Sequence, residues 1–160
     1  MEIIIRKSKK SDALAILSLV KELADYEREP NAVIIDKKSI EEHGFGQQPL
    51  FDCFVAELNE KVVGIALFYP RYSTWKGPIL HLEDLIVTKE MKGKGIGSKL
   101  YNAFLKYAHK VGLDRVEWAV LDWNRSAINF YQKSGAKVLN DWRIVQMDKK
   151  SLQNYIAKIN

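Results

Sequence analysis

The chain has 160 residues, of which 47% are hydrophobic and 28% are charged, and these values predict one globular domain over residues 1–160. No apolar run reaches membrane-spanning length, and the first residues lack the basic and then apolar layout of a signal peptide, so we expect a cytoplasmic protein without a membrane partner. The net charge of +5 favours an anionic partner, and the single cysteine excludes an internal disulfide and a cysteine-based metal cluster.

A strand and an amphipathic helix are predicted first. The strand begins at Ile3–Ile5, and Ser8 and Ser11 are candidate caps for the helix that follows. This helix carries an apolar stripe over Ala13–Ala24 and ends before Pro30, because proline bends or breaks a helix.

A short second helix comes next. Asp36 is placed to cap it, and it runs through Ile40 to a glycine-containing turn at Gly44–Gly46. His43 lies there without a second ligand at metal spacing, so we expect no metal site.

Two apolar runs predict a β-hairpin. They are Phe51–Leu58 and Val62–Tyr69, joined by a three-residue turn. Cys53 lies inside the first run, which favours a buried structural thiol over a nucleophile. Residues 69–78 are rich in aromatics and proline, and we expect a loop that either packs on the surface or lines a substrate mouth.

The stretch His81–Leu100 predicts a strand that passes through a glycine-rich loop into a helix. Gly93, Gly95 and Gly97 expose backbone N–H groups at a helix start, where the helix dipole also favours negative charge. Four lysines lie in or beside the same loop: Lys89, Lys92, Lys94 and Lys99. The loop therefore predicts an anion site, and a small polyanionic cofactor explains the basicity as well as a nucleic acid does.

The last part of the chain continues the alternation of strands and helices. We expect a strand over Arg115–Leu121, a helix capped by Asn124 and ending at Gly135, a strand over Arg143–Met147 and a helix over Ser151–Ile159. This order predicts an α/β (α+β) fold with a mixed, mostly antiparallel central sheet flanked by helices.

The glycine loop does not match the dinucleotide fingerprint or the P-loop. It resembles the acyl-CoA pyrophosphate loop of the GNAT N-acetyltransferase superfamily, with lysine in the place of the usual Arg or Gln. Further matches resemble the spermidine/spermine (diamine) N-acetyltransferase branch: Lys21–Glu27, Gly44–Gly46, Leu82–Asp84, Gly93–Ser98, Trp123–Asn124 and Ile128–Tyr131. The resemblance implies a single GNAT domain over the chain, a homodimer, no nucleic-acid partner, and acetyl-CoA as cosubstrate.

The resemblance also implies the catalytic residues. A primary amine has a pKa of about 10.4 by analogy with lysine and must lose a proton before it attacks the thioester. Glu83 is the implied acceptor, and Tyr131 is the implied hydrogen-bond donor to the departing CoA thiolate. Adjacent residues on a strand face opposite ways, so we expect only one of Glu83 and Asp84 to serve a given pocket. Without the resemblance, Tyr131 reads as a core residue beside Phe130.

The binding residues implied by the resemblance fall into two sets. Those expected at acetyl-CoA are Leu85, Ile86, Val87, Lys92, Gly93, Lys94, Gly95, Ile96, Gly97, Ser98, Asn124, Arg125, Ser126, Ala127 and Ser134. Those expected at the amine are Tyr26, Glu27, Glu83, Asp84, Glu117, Trp118 and Ala119. The implied function is direct acetyl transfer to a small diamine, polyamine or lysine-like amine in a ternary complex; the alternatives are a protein amine acetyltransferase and a non-catalytic acyl-CoA-binding protein.

Overall fold

The computed structural model describes residues 2–159, which form two compact units with their boundary in the sequence between Ala119 and Val120. The first unit contains five strands: β1 Ile4–Lys7, β2 Asp52–Leu58, β3 Lys61–Ser73, β4 Gly77–Val87 and β5 Val116–Glu117. Its helices are α1 Ala13–Tyr26, α2 Lys37–Phe45 and α3 Ile96–Lys110, with short 3₁₀ turns at Lys10–Asp12 and Lys89–Met91. The second unit contains α4 Arg125–Lys133 and α5 Lys149–Ile159.

The five strands form one sheet in chain order, and the predicted mixed topology is confirmed. The pairs β1–β2, β2–β3 and β3–β4 are antiparallel, and β4–β5 is parallel. β5 pairs with β4 only at Leu80–Val116 and His81–Glu117, so the strand predicted over Arg115–Leu121 is shorter than expected. Within the described residues, β4 beyond His81 therefore pairs with β3 on one edge and has no strand on the other.

A β-bulge interrupts β4 at Glu83. Phe68 pairs with Leu82, whereas its neighbour Leu67 pairs with Asp84, so Glu83 is the extra residue on β4. A bulge of this kind locally changes which way successive side chains point.

Apolar side chains cover both faces of the sheet. On one face, α1 and α2 pack with strand residues such as Val55, Ile65 and Ile86. On the other, Phe68 contacts Phe104 of α3 at 5.1 Å between ring centroids. Burying each such side chain stabilises the fold by about 1.5–3 kcal/mol, so both helix layers hold the sheet in place.

A compact ion cluster joins β1, β2 and the start of α1. Arg6 donates to Asp12 at 2.7 and 3.0 Å and to Glu57 at 2.6 and 2.9 Å. Asp12 also accepts from the backbone N–H of Lys9 at 2.8 Å and is only 6% exposed. Ser8 and Ser11 were expected to cap α1, but Asp12 lies at its N-cap position.

Two predicted turns have a different structure. Gly44 and Phe45 belong to α2, which runs beyond Ile40 from its confirmed Asp36 cap. A β-carbon on Gly44 would lie 2.5 Å from the Phe51 ring, so glycine is needed there for close packing. The aromatic loop predicted over residues 69–78 is mostly strand, because β3 and β4 continue to a tight turn at residues 74–76.

The second unit confirms two predicted helices and contradicts one strand. Asn124 caps α4 by accepting from the N–H of Ala127 at 3.2 Å, and α5 covers the predicted terminal helix. The strand predicted over Arg143–Met147 is wrong: these residues have no strand partner within the described part of the chain, and Val145 is 93% exposed. No helix within residues 2–159 combines the length and apolarity required to cross a bilayer.

Candidate active site

The glycine loop connects the end of β4 to α3. Gly93 and Gly95 have φ of +77° and +73°, a left-handed conformation that side chains disfavour, and Gly95 is the N-cap of α3. No side chain caps this helix, so the N–H groups of its first turn are not bonded within it. An added β-carbon on Gly97 would make only an ordinary contact with Val87 at 3.8 Å, so glycine is demanded by backbone angle at 93 and 95 but not at 97.

The last turn of α1 lies beside this loop. Glu22 accepts from the N–H of Lys89 at 2.7 Å, and Lys92 Nζ lies 4.4 Å from the centre of the Tyr26 ring. Lys92, Lys94, Lys99 and the loop glycines Gly93 and Gly95 are exposed. The loop therefore offers positive charge and helix N–H groups together, which fits a pyrophosphate.

The free edge of β4 lies next to the loop. Leu85, Ile86 and Val87 pair with β3 at Ala66, Ile65 and Gly64, and no strand covers their other edge within the described residues. An extended ligand arm fits such an edge as an added strand. The loop and the edge together suit the pyrophosphate and pantetheine of acyl-CoA.

Three interacting carboxylates, which we name the acid cluster, lie at the bulge and at the end of α1: Glu27, Glu83 and Asp84. Burial, and then the charges of Glu83 and Glu27, raise the pKa of Asp84 to about 7. Desolvation and the charge of Glu83 raise the pKa of Glu27. The charge of Glu83 thus raises the pKa values of both Glu27 and Asp84, although we expected Glu83 and Asp84 to point to opposite faces of the sheet.

Tyr69 and His81 contact Glu83, and the sequence analysis missed both. Tyr69 donates its hydroxyl to Glu83 at 2.8 Å, and its ring stacks on His81 at 5.2 Å. Burial and the contact with Glu83 raise the pKa of Tyr69 to about 12, so its hydroxyl stays protonated. The two rings are direct cross-strand partners, a relation that the sequence shows only once the register is known.

Glu117 has a different environment from the acid cluster. It accepts from Arg71, and Arg115 Nε lies 3.2 Å from its other oxygen. Trp118 packs edge-on against Tyr101 at 5.6 Å, and Ala119 is exposed. Of the predicted amine residues, Tyr26, Glu27, Glu83 and Asp84 lie on the end of α1 and on β4, whereas Glu117 already has two basic partners.

The remaining predicted residues lie in the second unit. Asn124 and Ala127 are linked by the α4 cap, while Arg125 and Ser126 are exposed in its first turn. Tyr131 is buried, its ring 5.4 Å from Phe130. Ser134 donates its hydroxyl to the Tyr131 carbonyl at 2.6 Å and so closes the helix end.

The model of the Acetyltransferase (GNAT) family matches residues 16–136, which is most of the chain. The chain belongs to the GNAT acetyltransferase family. It is therefore an acetyl-CoA-dependent N-acetyltransferase, as the sequence predicts.

Individual relatives place this GNAT enzyme in the predicted branch. It is 35% identical over 98% of both chains to a thialysine N-epsilon-acetyltransferase of Bos taurus. It is 32% identical to a human spermidine/spermine N(1)-acetyltransferase-like protein 1, over 92% of this chain and 23% of that one. An integron cassette protein from the mobile metagenome of V. cholerae shares the fold, with a TM-score of 0.79 and 23% identity over 99% of both chains.

Proposed function

We propose that this acetyltransferase transfers the acetyl group directly from acetyl-CoA to a primary amine of a small diamine, polyamine or lysine-like substrate. The acid cluster is the observation that supports this substrate class. Burial and neighbouring acids raise the pKa values of two of these carboxylates, Glu27 and Asp84, although the chain as a whole carries a net charge of +5. A cationic amine relieves this repulsion, and two of the relatives are named for thialysine and for spermidine or spermine.

The residues have separate tasks in this proposal. The loop from Lys92 to Ser98 binds pyrophosphate, and the open edge of Leu85–Val87 aligns the pantetheine arm. Asn124–Ala127 and Ser134 are proposed as further cofactor contacts on the family resemblance. Acetyl-CoA supplies an activated thioester carbonyl, which the bound amine attacks.

Proton transfer completes the proposed mechanism. Glu83 accepts a proton from the substrate ammonium, and Tyr69 holds this carboxylate in place through its hydrogen bond. Tyr131 is retained as donor to the leaving sulfur on the family resemblance. Cys53 is buried and burial raises its pKa, so its thiol is a poor nucleophile. Direct transfer in a ternary complex, which uses no enzyme thiol, is therefore part of the proposal.

A CoA-release assay over a panel of amines tests the substrate class. We expect short diamines, polyamines and lysine analogues to have higher kcat/KM than neutral aromatic amines or a peptide N-terminus, because only multiply charged amines use the whole acid cluster. Glu83→Gln should lower this activity with little change in KM for acetyl-CoA. If an aromatic amine or the peptide outcompetes every diamine, the proposed substrate class is wrong.

Tyr131→Phe tests the leaving-group role. Loss of one well-placed donor costs about 10²–10³ in turnover, and we expect that loss without weaker acetyl-CoA binding by calorimetry. The matched control is Tyr155→Phe on α5, whose ring is exposed. Wild-type turnover in Tyr131→Phe would assign Tyr131 a packing role only.

We further propose, from the family resemblance, a cytoplasmic homodimer of one GNAT domain without nucleic-acid or membrane partners. Sedimentation equilibrium tests the dimer directly. Salt-dependent binding to DNA or RNA in a titration at low ionic strength would contradict the proposal on nucleic acid.

A further inference from the structure

His81 lies between two carboxylates on the β4–β5 side of the sheet. Its Nε2 is 3.6 Å from Glu83 Oε2, and its Nδ1 is 3.9 Å from Glu117 Oε1. The side chain is 18% exposed, and its Nδ1 is buried without a hydrogen bond in the part of the chain that the structure describes. One face of the ring is stacked on Tyr69, which fixes the ring plane.

The charged and titratable groups around His81 are not equivalent. They come from β3, β4 and the β5 segment: Tyr69, Arg71, Glu83, Arg115 and Glu117. Both arginines contact Glu117. Among these contacts, His81 is the basic side chain beside Glu83. Glu83 is therefore the carboxylate that is available to exchange a proton with His81 Nε2.

We propose that His81 is a positioning residue that receives the proton which Glu83 takes from the substrate amine. This inference rests on the proposed function, and it adds a residue that the family comparison does not assign. Histidine suits the task because its charge changes within the physiological pH range. At 3.6 Å the two atoms are slightly beyond direct hydrogen-bond distance, a separation that a small side-chain movement or one bridging water closes.

The proposed step moves only a proton. The ammonium loses H⁺ to a Glu83 oxygen, and its electron pair becomes free to form the new C–N bond. Glu83 passes that H⁺ to His81 Nε2, which gives an imidazolium beside a regenerated carboxylate. The imidazolium releases the proton to water when the product leaves, so charge and atoms balance over one cycle.

Two substitutions of His81 and a pH profile test the proposal. His81→Phe keeps a ring that stacks on Tyr69, and His81→Gln keeps polarity, but neither accepts a proton. Both should lower kcat for a diamine by about tenfold or more near pH 7, with KM for acetyl-CoA unchanged. The deficit should shrink as pH rises towards 10, because free amine then arrives without a proton to remove.

The chain provides a matched control and a rescue. It has three histidines, and His43 and His109 are both exposed, so the double variant His43→Gln/His109→Gln should keep the wild-type profile. Added imidazole should restore turnover to His81→Ala more than to His81→Phe, because only the alanine variant leaves room for it. A deficit that stays constant with pH, or full activity of His81→Phe, would overturn the inference. Wild-type enzyme that acetylates no amine in the panel would instead refute the proposed function.

Discussion

Two clusters of carboxylates in the first unit differ in the groups that they contact. In the ion cluster, Asp12 and Glu57 share Arg6, whereas in the acid cluster the charges that act on Glu27 and Asp84 are those of other acids. Burial raises the pKa of Asp12, but the bonds from Arg6 and from the Lys9 N–H outweigh it, and the net pKa is lowered. At Asp84, burial and neighbouring acids act in the same direction.

The contrast separates acids that stabilise the fold when ionised from acids that destabilise it when ionised. An acid with a lowered pKa contributes stability above its unfolded pKa and loses it as pH falls. An acid with a raised pKa is compatible with folding while protonated and reduces stability as pH rises through its folded pKa. Acids with pKa values raised by burial and by other acids cluster at functional sites, which supports the proposal that the acid cluster binds the amine.

The largest expected effect comes from removing the cation of the ion cluster. Arg6→Met leaves Asp12 buried without its guanidinium partner, and we expect a loss of about 2–3 kcal/mol in the free energy of unfolding at pH 7. Lys7→Met is the matched control, because Lys7 makes an exposed 3.4 Å pair with Asp52 that is worth less than about 1 kcal/mol. Urea unfolding of both variants measures the difference; equal losses would contradict the assigned role of Arg6.

Per pH unit, a smaller effect of opposite sign is expected in the acid cluster. Between the ordinary pKa of aspartate and about 7, the folded chain holds a proton on Asp84 that the unfolded chain has released. As pH rises across this window, the free energy of unfolding of wild type should therefore fall by about 1.4 kcal/mol per pH unit relative to that of Asp84→Asn. Urea unfolding from pH 5 to 8 tests this, with Asp25→Asn, an exposed position on α1, as control. A pH-independent difference would show that Asp84 does not titrate as inferred.

The smallest effect concerns the coupling within the acid cluster. Glu27→Gln removes one negative charge and should lower the pKa of Asp84, but by less than Glu83→Gln, because Glu83 contributes more to its shift. Carboxyl NMR titration of the two variants reports both changes. An unchanged or raised Asp84 pKa in Glu27→Gln would mean that the end of α1 does not interact with β4 as described.

Local signals explain which elements the sequence predicted. Asp36 and Asn124 cap their helices as expected, since a cap requires only residues within one turn. The glycine loop is recognisable for the same reason, because Gly93 and Gly95 have positive φ, a local conformation that glycine adopts without strain.

Non-local pairing explains the failures. Pro70 and Pro78 were interpreted as loop residues, yet they lie in paired strands, opposite Leu80 and Tyr72. The bulge at Glu83 and the pairing of His81 with Tyr69 both depend on the register of β3 against β4. No periodicity within β4 alone reveals it, so the sequence predicted the acids but not their neighbours.

The buried cysteine makes the chain convenient to assay. Cys53 is the only thiol in the sequence, it is 3% exposed, and burial raises its pKa above the ordinary value. Thiol reagents should therefore detect released CoA with almost no background from folded enzyme. The same reagents should gain one reactive group per chain on unfolding, so a single dye reports turnover and loss of structure in one cuvette.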